Sequence, residues 1–169
     1  MKLAKGLPPF QAFLEQNRAV VYRFLIASVG ANEVDDCFQE TFVAALRAYP
    51  RLRNGENLRS WVLTIATRKA IDSGRSRRRR PLAVGDPASV ADPSVDPSES
   101  ATGRDPADPL WVAVRALPIR QRAAVVHRFV LDRSYRDIAE AMGSSEETAR
   151  ANVSQGLKKL RKELSDATE

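Results

Sequence analysis

Apolar residues recur every three or four positions along three stretches of the first 80 residues, which is the spacing of one helix face. The first stripe, over about residues 9–29, consists of Phe10, Phe13, Leu14, Val21, Phe24 and Leu25. The second ends before Pro50 and consists of Val34, Phe38, Thr41, Phe42, Ala45, Leu46 and Tyr49. The third consists of Leu58, Trp61, Val62, Ile65 and Ala66, and continues through Ile71 to Arg75. Nothing alternates with period two, so the pattern predicts helices and no sheet.

The second half of the chain has the pattern of a helix-turn-helix between Asp132 and Leu164. Ser134 and Asp137 have the spacing of a capping box, in which the Ser134 hydroxyl accepts from the Asp137 amide and the Asp137 carboxylate returns the bond. A short helix, Ile138 to Met142, then ends at Gly143, because glycine tolerates the left-handed conformation of a tight turn.

A longer second helix is predicted to follow this turn. Ser144 and Glu147 again have capping-box spacing, and the apolar positions beyond them are Ala149, Val153, Leu157, Leu160 and Leu164. Two further helices, Leu110 to Leu117 and Arg120 to Leu131, precede the module and provide a scaffold for it. A helix-turn-helix of this kind places its second helix in the DNA major groove, and an ordinary helical hairpin is the alternative interpretation.

Between the two halves the composition changes. Six of the ten prolines lie from Pro81 to Pro109, in a stretch rich in Ser, Ala and Asp with almost no large apolar side chains. Helices do not run through prolines at such intervals, and the stretch has too little apolar surface to order itself. We therefore expect an all-α fold of two small helical bundles, residues 1–80 and 110–169, joined by a flexible acidic linker, residues 81–109.

The charge distribution follows the same division. Residues 1–80 carry 15 Lys and Arg against 7 Asp and Glu, whereas residues 81–110 carry 1 against 6. A basic block thus lies on each side of this acidic stretch, in residues 1–80 and 111–169. Two basic blocks together with a helix-turn-helix favour a polyanionic partner such as DNA. We find no signal peptide and no apolar run of membrane-spanning length, and we expect a cytoplasmic protein without membrane insertion.

The residue content argues against metal or disulfide chemistry. The lone cysteine, Cys37, excludes an internal disulfide and a cysteine-rich zinc site, and we interpret it as a small core residue, with a redox sensor as the alternative. The lone histidine, His127, lies in a scaffold helix, where a satisfied or solvent-facing ring is the default interpretation. We expect no catalytic residues, no metal and no cofactor.

Polar residues of the second predicted helix form an acidic face, which consists of Glu33, Asp35, Asp36, Gln39 and Glu40. A solvated face with acids favoured by the helix dipole explains the spacing equally well. Paired carboxylates also suggest metal or acid–base chemistry, but Asp35 and Asp36 are adjacent and point about a quarter-turn apart, with no histidine nearby. Catalysis is therefore disfavoured at this face.

The third predicted helix is basic and follows a polar loop, Asn54 to Asn57. Its polar residues are Arg59, Thr64, Thr67, Arg68, Lys69, Asp72 and Arg75, followed by Arg77 to Arg80, and Thr64, Arg68, Ile71 and Arg75 fall along one side. Such a helix beside a loop suits a single strand, whose phosphates meet Arg and Lys while loop amides bond an exposed base. Trp61 is able to stack on a base, but its place in the apolar stripe favours core packing.

The last predicted helix carries polar residues opposite its apolar stripe. They are Glu147, Ala151, Ser154, Gln155 and Lys158, with Arg150 and Asn152 at the flanks. Arg suits guanine and phosphate, and Asn and Gln suit adenine. Lys158, Lys159 and Arg161 are better placed to hold phosphates than to read bases.

The whole sequence resembles an extracytoplasmic-function (ECF) sigma factor, a bacterial transcription initiation factor of the sigma-70 family. Four stretches carry the resemblance: Glu33–Phe42, Trp61–Asp72, Leu117–Arg122 and Ser134–Leu160. They are similar to the helix with which sigma domain 2 binds polymerase, the helix that engages the melted minus-ten element, the start of sigma domain 4, and its helix-turn-helix for the minus-thirty-five element.

The resemblance implies a role for each candidate residue. Core RNA polymerase would be bound by Asp35, Asp36, Gln39 and Glu40. The minus-ten element would be engaged by Asn54, Gly55, Glu56, Asn57, Arg68 and Arg75. The minus-thirty-five duplex would be bound by Glu147, Thr148, Arg150, Ala151, Asn152, Ser154 and Lys158. An anti-sigma factor that clamps one or both domains is implied as a further partner.

We therefore predict an accessory sigma factor that is not itself an enzyme. One alternative is a stand-alone helix-turn-helix regulator, which leaves the acidic helix and the basic third helix unexplained. The other is a DNA-processing enzyme such as a serine recombinase, which needs an α/β catalytic domain where the pattern predicts no strands.

Overall fold

The computed structural model describes residues 6–79 and 108–168, except for the side chains of residues 77–79. These residues form helices and turns, with no β-strand among them, so the predicted all-α class is confirmed. The helices are α1 (Phe10–Val29), α2 (Val34–Ala48), α3 (Leu58–Arg79), α4 (Pro109–Ala116), α5 (Ile119–Phe129), α6 (Tyr135–Met142) and α7 (Glu146–Asp166). A short 3-10 helix, Tyr49–Arg51, continues α2 through Pro50.

Aromatic rings hold the N-terminal half, helices α1 to α3, together. The Phe13 ring is fully buried, and its centroid lies 5.1 Å from that of Tyr49 and 5.7 Å from that of Trp61. The Tyr49 hydroxyl donates to the Pro8 carbonyl at 2.6 Å, so its one polar atom is satisfied inside the cluster. Trp61 therefore packs in the core, as its place in the apolar stripe indicated.

Half of the first predicted capping box is confirmed, and the return bond from the Asp137 carboxylate is not found among the described residues. The Ser134 hydroxyl accepts from the Asp137 amide at 3.1 Å, and α6 begins directly after it at Tyr135, three residues before the predicted start. Gly143 ends α6 with a φ of 62°, the left-handed conformation expected of it. The Asp137 carboxylate oxygen Oδ1 lies 3.9 Å from Nη2 of Arg133, so its charge faces a cation.

The second cap was predicted one residue too early. Ser145, not Ser144, precedes α7, and its hydroxyl accepts from the Thr148 amide at 3.1 Å. The Ser144 amide instead donates to the Ala139 carbonyl at 2.9 Å, because the glycine turn uses it to close the end of α6. The capping-box spacing of Ser144 and Glu147 was therefore wrong as a marker of the helix start.

The two helical groups pack against each other. Helix α3 contacts α5 and α6 as well as α1 and α2, and α1 contacts α4 and α5. One hydrophobic core runs through both groups, from Phe13 on α1 to Val126 on α5 and Leu160 on α7. The described ends of the halves are Arg79 and Asp108, and the predicted linker lies outside the described residues apart from Asp108 and Pro109.

A second face of α3 makes the contact between the halves. Ser60, Leu63, Thr67 and Gly74 recur at helical spacing along it, and the first three lie half-buried or buried. A Cβ at Gly74 would lie 2.9 Å from Cγ1 of Ile119, so the missing side chain lets α3 and α5 approach. Apart from Leu63, small and hydroxyl side chains make this face, so the search for an apolar stripe did not find it.

His127 lies in this contact, fully buried. Its Nε2 is 2.9 Å from the Thr67 hydroxyl, and its ring stacks on Phe24 with centroids 4.5 Å apart. The solvent-facing interpretation was therefore wrong, because the helix that carries His127 is covered by the other half of the chain.

The described helices include none long and apolar enough to cross a membrane.

Candidate functional site

The acidic residues of α2 lie together on its solvent side. Asp35, Asp36, Gln39 and Glu40 are all exposed, because Val34, Cys37 and Thr41 turn the opposite side of the helix into the core. Asp35 and Asp36 lie in the first turn, where the positive end of the helix dipole stabilises their charge. From here on, the acidic face means these four residues, without Glu33, which is half-buried.

An apolar groove between α1 and α2 borders the acidic face, and the sequence pattern did not predict it. Its apolar lining consists of Phe10, Leu14, Tyr22, Phe38, Phe42, Val43 and Leu46, and its polar lining of Arg18 and of Asp35 and Gln39 from the acidic face. Leu46, which the pattern placed in the apolar stripe, is 52% exposed there. The face therefore offers carboxylates and apolar surface side by side, the composition of a protein-binding surface.

Cys37 lies on the buried side of α2. Burial raises the pKa of its thiol, a hydrogen bond with Ser73 lowers it by less, and Glu33, Glu40 and Asp36 each raise it by a still smaller amount. A thiol with a raised pKa forms little thiolate and is a poor redox centre. Its environment supports the interpretation of Cys37 as a packing residue.

The loop before α3 is exposed and tightly built. Asn54, Glu56 and Asn57 are exposed, Gly55 is half-buried, and Asn57 has a φ of 54°, which places it in the left-handed region. A Cβ at Gly55 would lie 2.3 Å from the Gly6 carbonyl oxygen, so the N-terminal segment passes directly against the loop. Glycine is required here by a close backbone approach.

The predicted DNA-facing side of α3 is exposed only in part. Arg68 and Arg75 are exposed, about 15 and 26 Å along the helix from Leu58 at 1.5 Å per residue. Thr64 is half-buried with its hydroxyl donating to the Ser60 carbonyl at 2.9 Å, and Ile71 is buried. The four residues therefore do not form one exposed surface, because the side that Thr64 and Ile71 share borders the C-terminal helices.

The polar residues predicted on α7 face solvent. Glu147, Thr148, Arg150, Ala151, Ser154 and Lys158 are exposed, and Asn152 is half-buried with its amide donating to the Thr148 carbonyl at 3.0 Å. On the other side of the helix, Ala149, Val153, Gly156 and Leu160 are buried. The apolar stripe thus fixes which side of α7 is exposed to solvent.

Sequence reasoning did not find the residues that tie α5 and α6 to their neighbours. Arg128 and Arg150 both lie over the ring of Tyr135, and Arg133 donates from Nη2 to the Ser60 hydroxyl at 2.9 Å. Cation–π and side-chain contacts of this kind join elements distant in sequence and leave no periodic signal.

Two protein families match the chain. Residues 10–80 match the family described as Sigma-70 region 2, and residues 107–160 match the one described as Sigma-70, region 4. The first covers α1 to α3 with the acidic face and the loop, and the second covers α4 to α6 and most of α7.

Related proteins align with nearly the whole chain. The ECF RNA polymerase sigma factor SigX of Bacillus subtilis is 29% identical over 161 residues, which cover 92% of this chain and 83% of SigX. The ECF RNA polymerase sigma factor SigC of Mycobacterium tuberculosis is 29% identical over 157 residues, which cover 93% of this chain and 82% of SigC.

Two solved structures share the fold. The sigma factor RpoE of Bartonella quintana, in complex with the anti-sigma factor NepR, has a TM-score of 0.68 at 22% identity and covers 92% of this chain and 96% of its own. CnrH, in complex with the cytosolic domain of CnrY, has a TM-score of 0.62 at 20% identity, with coverages of 95% and 89%. With both sigma-70 regions present in order, the chain belongs to the ECF sigma factors of the sigma-70 family and directs promoter recognition and transcription initiation.

Proposed function

We propose that this sigma factor acts without catalysis of its own, through three surfaces that bind core RNA polymerase, the melted minus-ten element and the minus-thirty-five duplex. The observation that carries the proposal is that the two sigma-70 regions match the two halves that bear these surfaces. The energy for strand opening comes from binding, since a captured base offsets the few kcal/mol that unstacking costs.

Core RNA polymerase binds the acidic face. Its four side chains are exposed on one helix, so a basic surface on a partner meets them without rearrangement of α2. The apolar groove beside them adds desolvated contact area, which gives affinity that exposed ion pairs alone do not supply.

The minus-ten element binds along the loop 54–57 and α3. The exposed loop captures a flipped base, and Arg68 and Arg75 follow the strand backbone away from it. The distance along α3 from the loop to Arg75, about 26 Å, supports contact along a strand rather than within one pocket.

The minus-thirty-five duplex binds the exposed side of α7. Arg150 and Asn152 are the side-chain types that read base edges, and Lys158, about two turns further along, meets phosphate. An anti-sigma factor is a further partner, by analogy with RpoE and CnrH, whose solved structures are complexes.

In vitro transcription tests this function. Purified core RNA polymerase is incubated with a library of promoter fragments, with and without the chain, and RNA 5′ ends are mapped. We expect new, defined start sites only when the chain is present. A stand-alone helix-turn-helix regulator would bind duplex DNA but neither associate with core polymerase nor create start sites.

A further inference from the structure

Tyr135, the first residue of α6, lies beneath two guanidinium groups. The Cζ atom of Arg150 on α7 is 4.4 Å from the ring centroid, and that of Arg128 on α5 is 4.6 Å from it. Both distances lie well within the range of cation–π attraction. The ring therefore joins three helices at the point where the helix-turn-helix faces solvent.

Arg150 depends on this ring for its position. Its side chain is 60% exposed, and its other contact is an ion pair in which Nη2 lies 3.7 Å from Oε2 of Glu146. An exposed pair at this distance holds a long side chain weakly. Arg128 is better fixed, since its Nη1 donates to the Arg133 carbonyl at 3.0 Å.

We propose that Tyr135 is a positioning residue for duplex binding: its ring holds the Arg150 guanidinium ready for the minus-thirty-five element. The inference rests on the proposed role of α7. A free arginine loses rotamer entropy when it is fixed, and a ring that orders it beforehand reduces that loss on binding.

A double-mutant cycle tests this role. The full chain in complex with core polymerase is titrated with a duplex bearing a promoter found by start-site mapping, for the parent, Tyr135→Leu, Arg150→Ala and the double variant. We expect Tyr135→Leu to weaken binding about two- to fivefold, and Tyr135→Phe, which keeps the ring, to restore the parent affinity. In the Arg150→Ala background, Tyr135→Leu should have no further effect.

Three results separate the possibilities. Equal losses from Tyr135→Leu with and without Arg150 would mean that Tyr135 acts only through folding, and the inference would fail. No loss from Tyr135→Leu would also overturn it. If Arg150→Ala and Lys158→Ala both left duplex affinity unchanged, the proposed function of α7 itself would fall.

A second inference comes from His127. The Thr67 hydroxyl donates to the Leu63 carbonyl at 2.6 Å, so its oxygen is left to accept the proton of Nε2. Nε2 therefore carries a hydrogen, and whether the ring is neutral depends on Nδ1. Its other nitrogen, Nδ1, is buried without a hydrogen-bond partner among the described residues, and a proton there would be an unsatisfied buried donor.

Burial and the neighbouring Arg133 guanidinium also oppose protonation of the ring. Burial, and secondarily the Arg133 guanidinium, lower the pKa of His127 to about 3. Arg59 on α3 lowers the pKa of Arg133, whereas Asp137 and Glu140 on α6 raise it. The side chain that α1 packs against the His127 ring is the uncharged Phe24. In a form with the halves apart, the ring would face water and its pKa would return to about 6.5.

We infer that His127 is an acid-sensitive latch that holds the two halves together while its ring is neutral. The minus-ten and minus-thirty-five elements lie about 25 base pairs apart, or about 85 Å at 3.4 Å per pair. A compact unit of about 135 residues has a radius of gyration of only about 14 Å. On the proposed function, simultaneous binding to both elements requires the halves to separate.

The sign of the pH effect follows from the lowered pKa in the packed form. Above about pH 6.5 the ring is neutral in both forms and the latch is at full strength. Below that value the ring is protonated in the separated form but not in the packed form. Each fall of one pH unit therefore raises the ratio of separated to packed molecules about tenfold, until the packed-form pKa of about 3 is reached.

The distance between the halves measures the latch directly. Donor and acceptor dyes are placed on cysteines introduced at the exposed positions Val43 and Lys159, in a Cys37→Ala background, and energy transfer is compared at about pH 7.5 and 5.5. We expect the ratio of separated to packed molecules to rise about tenfold on acidification, and to stay constant in His127→Asn. Far-ultraviolet circular dichroism at both pH values distinguishes separation from unfolding.

Arg122→Ala, which removes another contact between the halves, raises the separated fraction so that a tenfold change is measurable. The latch is refuted if this variant shows no pH response with His127 present. An equal response in the His127→Asn partner would refute it too. Neither outcome depends on polymerase or DNA, so failure of the latch would leave the proposed function untouched, and the reverse also holds.

Discussion

Arg122 on α5 donates from Nη1 to the backbone carbonyl of Ser28, near the end of α1, at 2.6 Å. Carbonyls in the last turn of a helix have no partner within the helix, and a cation there also meets the negative end of the helix dipole. Nη2 of the same side chain donates to the Leu117 carbonyl at 2.9 Å. One guanidinium thus satisfies acceptors from both halves, which couples their packing.

Arg122→Ala is expected to lower the free energy of unfolding by about 1.5–3 kcal/mol, because it removes charge-assisted bonds to carbonyls that remain buried. Urea denaturation of the full chain measures the change. Arg120→Ala is the matched control, since Arg120 lies on the same helix but is exposed, and its loss should change stability by less than about 0.5 kcal/mol.

Gly55→Ala is expected to displace the loop before α3. The new methyl would lie 2.3 Å from the Gly6 carbonyl oxygen. Because the Cβ has no freedom relative to its own backbone and the oxygen is a backbone atom, one of the two segments must move. We expect thermal unfolding to show a free energy of unfolding lower by about 1–3 kcal/mol. Promoter opening should fall more than binding to core polymerase does. Gly143→Asn, a substitution tolerated in the left-handed region, is the comparison. Unchanged stability and opening in Gly55→Ala would show that the close approach has no consequence.

Asp36→Arg is expected to weaken binding to core polymerase, since it places a positive charge in the middle of the acidic face. Sedimentation or fluorescence titration with purified core polymerase gives the affinity. Glu163→Arg makes the same change of charge on exposed α7, and its core affinity should match the parent. Equal losses in the two variants would mean that net charge, not the acidic face, governs binding.

Lys158→Ala is expected to weaken duplex binding to similar extents across sequences and to reduce the slope of log affinity against log salt by about one unit. The holoenzyme is titrated with several duplexes over a range of salt concentrations. Arg47→Ala, an exposed cation at the end of α2, should leave the slope unchanged. A loss confined to one duplex sequence would argue for base reading in place of phosphate contact.

The helices follow from the sequence because each has apolar residues at helical spacing, and a helix end follows from it where a local start or stop signal is present. Ser134 and Gly143 mark the ends of α6 by chemistry that depends only on neighbouring residues. Ser144 and Ser145 offer two adjacent caps, and which of them is used depends on how the glycine turn closes the preceding helix. The acidic face and the exposed side of α7 were predictable for the same reason, since each lies opposite an apolar stripe.

The contact between the halves was not predictable from these patterns. Ser60, Thr67 and Gly74 meet residues far along the chain, and small or hydroxyl side chains give no hydrophobic period. His127 likewise takes its environment from α1 and α3, which no local window includes. Tertiary packing therefore decides which polar residues are buried.

On the proposed function, the chain gives core RNA polymerase its promoter choice through the acidic face and the helix-turn-helix. Start-site mapping on a promoter library, with core polymerase plus parent, Asp36→Arg or Lys158→Ala, tests it most directly. We predict defined start sites with the parent and few with Asp36→Arg at any salt concentration. With Lys158→Ala, the use of these start sites should fall by an amount that depends on the salt concentration. Identical start sites from core polymerase alone, or undiminished use of them with both variants, would contradict it.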